Sequence, residues 1–126
     1  MKIFGIGLAK TGTTSLNAGL VMLGYKAEHA ISDLSAIDRL DAVTDELARD
    51  YPELDKRYPG SKFILTTREI ESWLKSCAHH FRNPLPDDNP HSAYIREIYG
   101  STVFDEPTFR KAYQRHYDGV VKHFAG

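Results

Sequence analysis

Short apolar runs alternate with helical patterns along this chain. "KIFGIG" (2–7) puts Ile3, Phe4 and Ile6 in an apolar run closed by glycine, the pattern of a buried strand. "TSLNAGLVMLG" then carries Leu16, Leu20 and Leu23 at helical spacing, with Gly24 as a C-terminal stop. "YKAEH" (25–29) is a weaker strand signal, and "SDLSAIDRL" (32–40) predicts a short helix capped by Ser32. "DAVTD" (41–45) reads as a short buried strand with an acid at its end. "ELARDYPELDKRYPG" (46–60) is expected to be helical in its first part, with Pro52 and Pro59 breaking or restarting it.

The clearest strand is "SKFILTTR" (61–68), where Phe63, Ile64, Leu65 and Thr66 form a run too continuous for a half-exposed strand. In "EIESWLKSCAHHF" (69–81), Ile70, Trp73, Leu74, Cys77 and Phe81 share one helical face. A polar, proline-rich loop (82–91) leads to a short helix at 92–100. A longer helix follows at 106–124, with Pro107 in its first turn. Strands alternating with helices predict an α/β fold, a parallel sheet covered on both faces in three α/β/α layers, built as one domain over 1–126.

Composition adds limits. The chain has 126 residues, enough for one core, and a net charge of -1. That balance offers no global field for nucleic acid, so any anion site must be local. The single cysteine, Cys77, fits a reducing compartment and a core position. No apolar run approaches the roughly 20 residues that span a bilayer, and "MKIFGIG" is a poor signal peptide. A cytoplasmic protein is expected. The six histidines show no ligand spacing, so no metal site is expected.

The candidate chemistry lies in "GLAKTGTTSL" (7–16). Gly7 and Gly12 have the spacing of a triphosphate loop, G-x-x-x-x-G-K-[ST], but Thr13 stands where the lysine belongs and the lysine sits inside, at Lys10. A dinucleotide fingerprint is the nearest rival, yet Lys10 replaces its third glycine. Glycines let a loop wrap an anion with its backbone N–H groups, and a helix N-terminus adds its dipole. Threonine hydroxyls add donors and lysine adds a charge. Thr13, Thr14 and Ser15 also suit a plain helix cap.

Strand, "GLAKTGTTSL", helix resembles the 5′-phosphosulfate loop of the sulfotransferase family. The resemblance implies that Lys10, Thr11, Gly12, Thr13 and Thr14, with Ser15 just beyond, bind the 5′ end of 3′-phosphoadenosine 5′-phosphosulfate (PAPS). A second motif agrees with it. Arg68 closes the clearest strand and Ser76 lies eight residues on, as in the arginine–serine pair that holds the cofactor's 3′-phosphate in that family. An arginine fork suits a phosphate. The wording "KFILTTR" with its following tryptophan and serine is similar to a bacterial branch.

By the same resemblance Asp45 matches the family's catalytic base, where histidine or glutamate is usual. An unperturbed aspartate, with a pKa of roughly 4, is a poor base unless burial raises it. Glu46 and Asp41 are the alternatives, and Asp45 equally suits an N-cap before "ELAR". The implied activity is sulfuryl transfer to a small-molecule hydroxyl or amine, with PAP as product and no metal. The competing readings are a phosphate-loop nucleotide kinase or hydrolase, and a non-catalytic nucleotide-binding chain that associates with another. Family members are usually longer, so a C-terminally shortened form is expected, with a homodimer as one way to cover an open sheet edge.

Overall fold

The structure is a computed structural model that describes residues 1–31 and 34–125. The chain divides into two compact units, Met1–Thr67 and Arg68–Gly126. The first is an α/β unit with a four-stranded parallel sheet: β1 (Ile3–Gly5), β2 (Ala27–His29), β3 (Ala42–Thr44) and β4 (Lys62–Ile64), in the order β2-β3-β1-β4. Val43, Phe4 and Phe63 lie in register across three of these strands.

Side-chain alternation assigns the two faces of the sheet. On one face Ile3, Ala42 and Leu20 form a buried cluster, with Leu16, Ala27 and Ile64 packed against it. Leu16 and Leu20 come from α1 (Thr13–Met22), the first crossover helix. Gly5 is small because α1 lies close: a Cβ there would stand 2.9 Å from the Leu16 side chain. On the other face the Phe4 ring meets Phe63 and Tyr58, the residue that closes α2 (Tyr51–Arg57). Helix α1 ends as its sequence dictates. Gly24 adopts φ 96, and the N–H groups of Gly24 and Tyr25 bond to the carbonyls of Val21 and Leu20.

Three expectations need correction. Residues 46–50 are not helical, with a turn at 48–50, and the helix is α2, in the second part of that stretch. The reason is local: Pro52 belongs in a first turn, and Asp45 and Glu46 have left-handed φ values of 70 and 56. Asp45 is therefore no helix N-cap; Asp50 holds that position for α2. Third, β4 covers only Lys62–Ile64, is last in the strand order and is partly exposed. Residues 34–39 form a 3₁₀ helix, Leu34–Arg39, while the expected Ser32 cap lies outside the described residues.

The second unit holds α3 (Ile70–His80), α4 (Ser92–Tyr99) and α5 (Glu106–Phe124), with α5 packed on both others. Trp73, Leu74, Cys77 and Phe81 are buried on the expected face of α3. Their neighbours are aromatic: Trp73, Phe81 and Tyr99 all pack on Phe109, with the Tyr99 and Phe109 rings stacked 5.3 Å apart. Arg110 of α5 ties the surface together, bonding Glu71 of α3 at 2.9 Å and Glu106 at 2.6 Å. Those two carboxylates, Glu71 first, hold its guanidinium above the ordinary arginine range. Among the described residues no helix is long and apolar enough to cross a membrane.

Candidate active site

Two neighbouring strands send their connections in opposite directions. From β1 the chain passes through α1 toward β2, whereas from β3 it passes through α2 to β4 on the far side of β1. Ligands of open parallel sheets bind outside the carboxyl ends of such a strand pair. Residues 6–12 leave the end of β1, and Asp45 leaves the end of β3.

The turn after β1 is built for a close approach. Gly7 has no room for a side chain: a Cβ would fall 2.0 Å from Thr66 Oγ1 and 2.7 Å from the Thr66 carbonyl oxygen. Thr11 is buried and donates its hydroxyl proton to the Leu8 carbonyl at 2.5 Å. That proton is its only one, so Thr66 Oγ1 must donate to Thr11 Oγ1 across their 2.7 Å contact. Thr11 Oγ1 thus braces the turn from within, and Thr66, which sequence reasoning treated only as part of a strand, shares that task. Gly7→Ala is expected to lower unfolding free energy by roughly 1–3 kcal/mol, the usual range for overpacking, measured by urea denaturation.

Lys10 and Gly12 both take left-handed φ, 67 and 94. Left-handed residues set among right-handed ones turn successive N–H groups toward one concave side. Gly12 is the N-cap of α1 and no side chain caps the helix, so Thr13, Thr14 and Ser15 do not serve as caps. The first intrahelical bond runs from the Leu16 N–H to the Gly12 carbonyl, at 3.0 Å. The amides of Thr13, Thr14 and Ser15 come before it, the first turn holds no acid, and the Thr14 and Ser15 side chains are exposed. Thr13 is buried. A Cβ on Gly12 would meet nothing within 4 Å, so the chain is uncrowded at that point of the turn. These features fit a 5′-phosphosulfate: backbone donors, a dipole end, two hydroxyls and the exposed Lys10.

A side-chain cluster borders the turn. Asp45 Oδ2 lies 3.3 Å from His29 Nε2. His29 Nδ1 lies 3.2 Å from Thr44 Oγ1, and His29 Nε2 reaches Thr14 Oγ1 at 3.5 Å. Of the sequence-selected residues, Thr14 and Asp45 are thus brought together through a third. Sequence reasoning missed His29, although "YKAEH" ends on it and "DAVTD" ends on Asp45. The signal would have been strand adjacency, since His29 and Thr44 are paired in the β2–β3 register. Backbone strain gathers here: Ala30, Asp45 and Glu46 all have positive φ. Asp41 is elsewhere, accepting from the Lys26 N–H at the start of its strand.

Arg68 and Ser76 belong to the second unit. Arg68 stands just before α3, its carbonyl held by the Tyr113 hydroxyl at 2.8 Å. Its Nε donates to Ser72 Oγ at 3.0 Å. Ser72 and Ser76 are four apart in α3 and share a side of the helix, so Ser72 joins the expected pair. The Glu69 carboxylate caps α3 by accepting from the Glu71 and Ser72 N–H groups at 3.0 and 2.8 Å. Those bonds draw its pKa below the usual 4.5. A depressed carboxyl stabilises above its unfolded pKa and loses that effect as pH falls through the folded value. Glu69→Gln should lower the thermal midpoint at pH 7, with the difference from wild type shrinking as pH falls below the ordinary carboxyl range and through the depressed folded pKa.

A family model described as "Sulfotransferase domain" matches residues 32–126, most of the chain. The chain belongs to the sulfotransferase domain family. The match contains Asp45, Arg68 and Ser76, while the turn at 7–15 and His29 precede it. A search of curated proteins finds no match. The α/β unit with its parallel sheet is the architecture this sulfotransferase was expected to have. Among the described residues, no group of three or more histidine, cysteine or acidic side chains is placed to hold a metal ion.

Proposed function

We propose that this sulfotransferase uses PAPS as donor and a small-molecule hydroxyl or amine as acceptor. The observation that carries the reading is the uncapped turn at Lys10–Ser15, bordered by Asp45 at the adjoining strand end. The amides of Thr13, Thr14 and Ser15, with the Thr14 and Ser15 hydroxyls, would hold the donor's 5′-phosphate. The family resemblance gives the 3′-phosphate to Arg68 and Ser76. The Arg68–Ser72 bond supports this by holding the guanidinium along the side of α3 that carries Ser76.

The chemistry is a single displacement, by analogy with in-line phosphoryl transfer. A bond forms between the acceptor oxygen and sulfur while the bond from sulfur to the 5′-phosphate oxygen breaks. The electron pair leaves with that oxygen on PAP, and the acceptor's proton passes to the Asp45 carboxylate. Charge grows on the leaving oxygen, where Lys10 and the backbone N–H groups near Gly12 and Thr13 would stabilise it. A lysine inside the turn meets this charge directly. The test is incubation with ³⁵S-labelled PAPS and a panel of phenols, alcohols and amines, read as labelled product. Transfer supports the reading; binding of ATP with magnesium, with none of PAPS, would replace it with the kinase reading.

A further inference from the structure

The tempting assignment for His29 is general base, since histidine is the usual choice for that work. The contacts argue otherwise. Among the described residues, its ring is contacted by the side chains of Thr14 from α1, Thr44 from β3 and Asp45 just beyond it, and of these Asp45 carries the charge. An ionised carboxylate can only accept, so the 3.3 Å contact requires the hydrogen on Nε2. In the neutral ring Nδ1 then has the lone pair, and Thr44 Oγ1 donates to it. Thr44 is wholly buried, so that lone pair is closed to any ligand. Both ring nitrogens are committed, and the ring has no lone pair left to take a substrate proton.

We propose that His29 is a positioning residue: its Nε2–H fixes the Asp45 carboxylate and ties it to the phosphate-binding turn through Thr14. This rests on the sulfotransfer reading and specifies which group holds the proton acceptor in place. Asp45 needs such a clamp. It sits in a left-handed turn immediately after β3, with φ 70, followed by a second left-handed residue at Glu46. Nothing in a strand ladder fixes a side chain there. The His29 ring is anchored from behind by buried Thr44 and ends β2 in register with it. It therefore transmits the rigidity of the sheet to one carboxylate oxygen. Its Nε2–H also points between Asp45 Oδ2 and Thr14 Oγ1, a carboxylate on the acceptor side and a hydroxyl on the donor side. Misplacing a catalytic group by about 1 Å costs on the order of 10²-fold in rate.

The test joins spectroscopy to kinetics. ¹⁵N NMR of the histidine-labelled full chain at neutral pH should show His29 as the Nε2–H tautomer, with the Nε2–H resonance moving in Asp45→Asn. An Nδ1–H tautomer would overturn the proposal whether or not the protein transfers sulfate. For kinetics, PAP formation from PAPS is followed with 4-nitrophenol as acceptor. His29→Leu should lower kcat about 10–100-fold, with PAP affinity and the KM for PAPS unchanged. His29→Gln, whose amide can place an N–H where Nε2 was but cannot accept a proton at neutral pH, should recover most of the loss. Equal damage from Gln and Leu, or a wild-type rate in Leu, would overturn the proposal while leaving the donor reading intact. A wild-type protein that neither binds PAP nor forms it overturns the donor reading and the kinetic role with it.

Discussion

Lys10→Ala should reduce sulfuryl transfer about 10²–10³-fold in kcat, the usual effect of removing one donor aimed at charge that develops in a transition state. The turn itself should survive. Its bracing comes from Thr11, Leu8 and Thr66, and from the Gly7 position beneath Thr66, none of which uses the lysine charge. Lys10 is exposed and already in the left-handed region, and alanine meets the same backbone demand there. The thermal midpoint should therefore move little while the rate collapses. PAP lacks the sulfuryl group, so its affinity should fall less than kcat does. Lys10→Arg should restore only part of the rate, because a planar fork on a different stem cannot place its charge where the ammonium stood. Full activity in Lys10→Ala would remove the lysine from the chemistry.

Arg68→Ala should weaken PAP binding about 10–100-fold, from the 1.5–3 kcal/mol typical of a hydrogen bond to a charged group. Adenosine 5′-monophosphate, which has no 3′-phosphate, should bind mutant and wild type alike. The contrast between the two nucleotides separates a lost 3′-phosphate contact from general damage. Structural damage should be small, because the Arg68 carbonyl, not its side chain, receives the Tyr113 hydroxyl, and Glu69 caps α3 independently. An equal loss for both nucleotides would mean that Arg68 serves the fold or the 5′ end instead.

What was legible in the sequence was local. The strand, glycine turn and helix from residue 3 to 22 are contiguous, so periodicity and Gly24 sufficed. The bounds of α5, Glu106–Phe124, followed from Pro107 and the stretch of helical pattern after it. What failed needed tertiary knowledge. The run Phe63–Thr66 looked like a buried central strand, but Thr66 leaves the ladder to brace the turn over Gly7. The 46–50 segment has helix-forming residues, yet left-handed Asp45 and Glu46 at its start and Pro52 after it moved the helix onward. His29 could not be selected at all, because its meaning depends on β2 lying beside β3 with His29 opposite Thr44. Ser72 was passed over because the expected motif pairs Arg68 with Ser76 alone.

The central claim, that PAPS is the sulfuryl donor, is tested most directly by isothermal calorimetry of the wild-type chain with PAP. Binding at one site without magnesium, and tighter than that of adenosine 5′-monophosphate, is the predicted result. No heat with PAP, or binding that requires magnesium and prefers ATP, would contradict it.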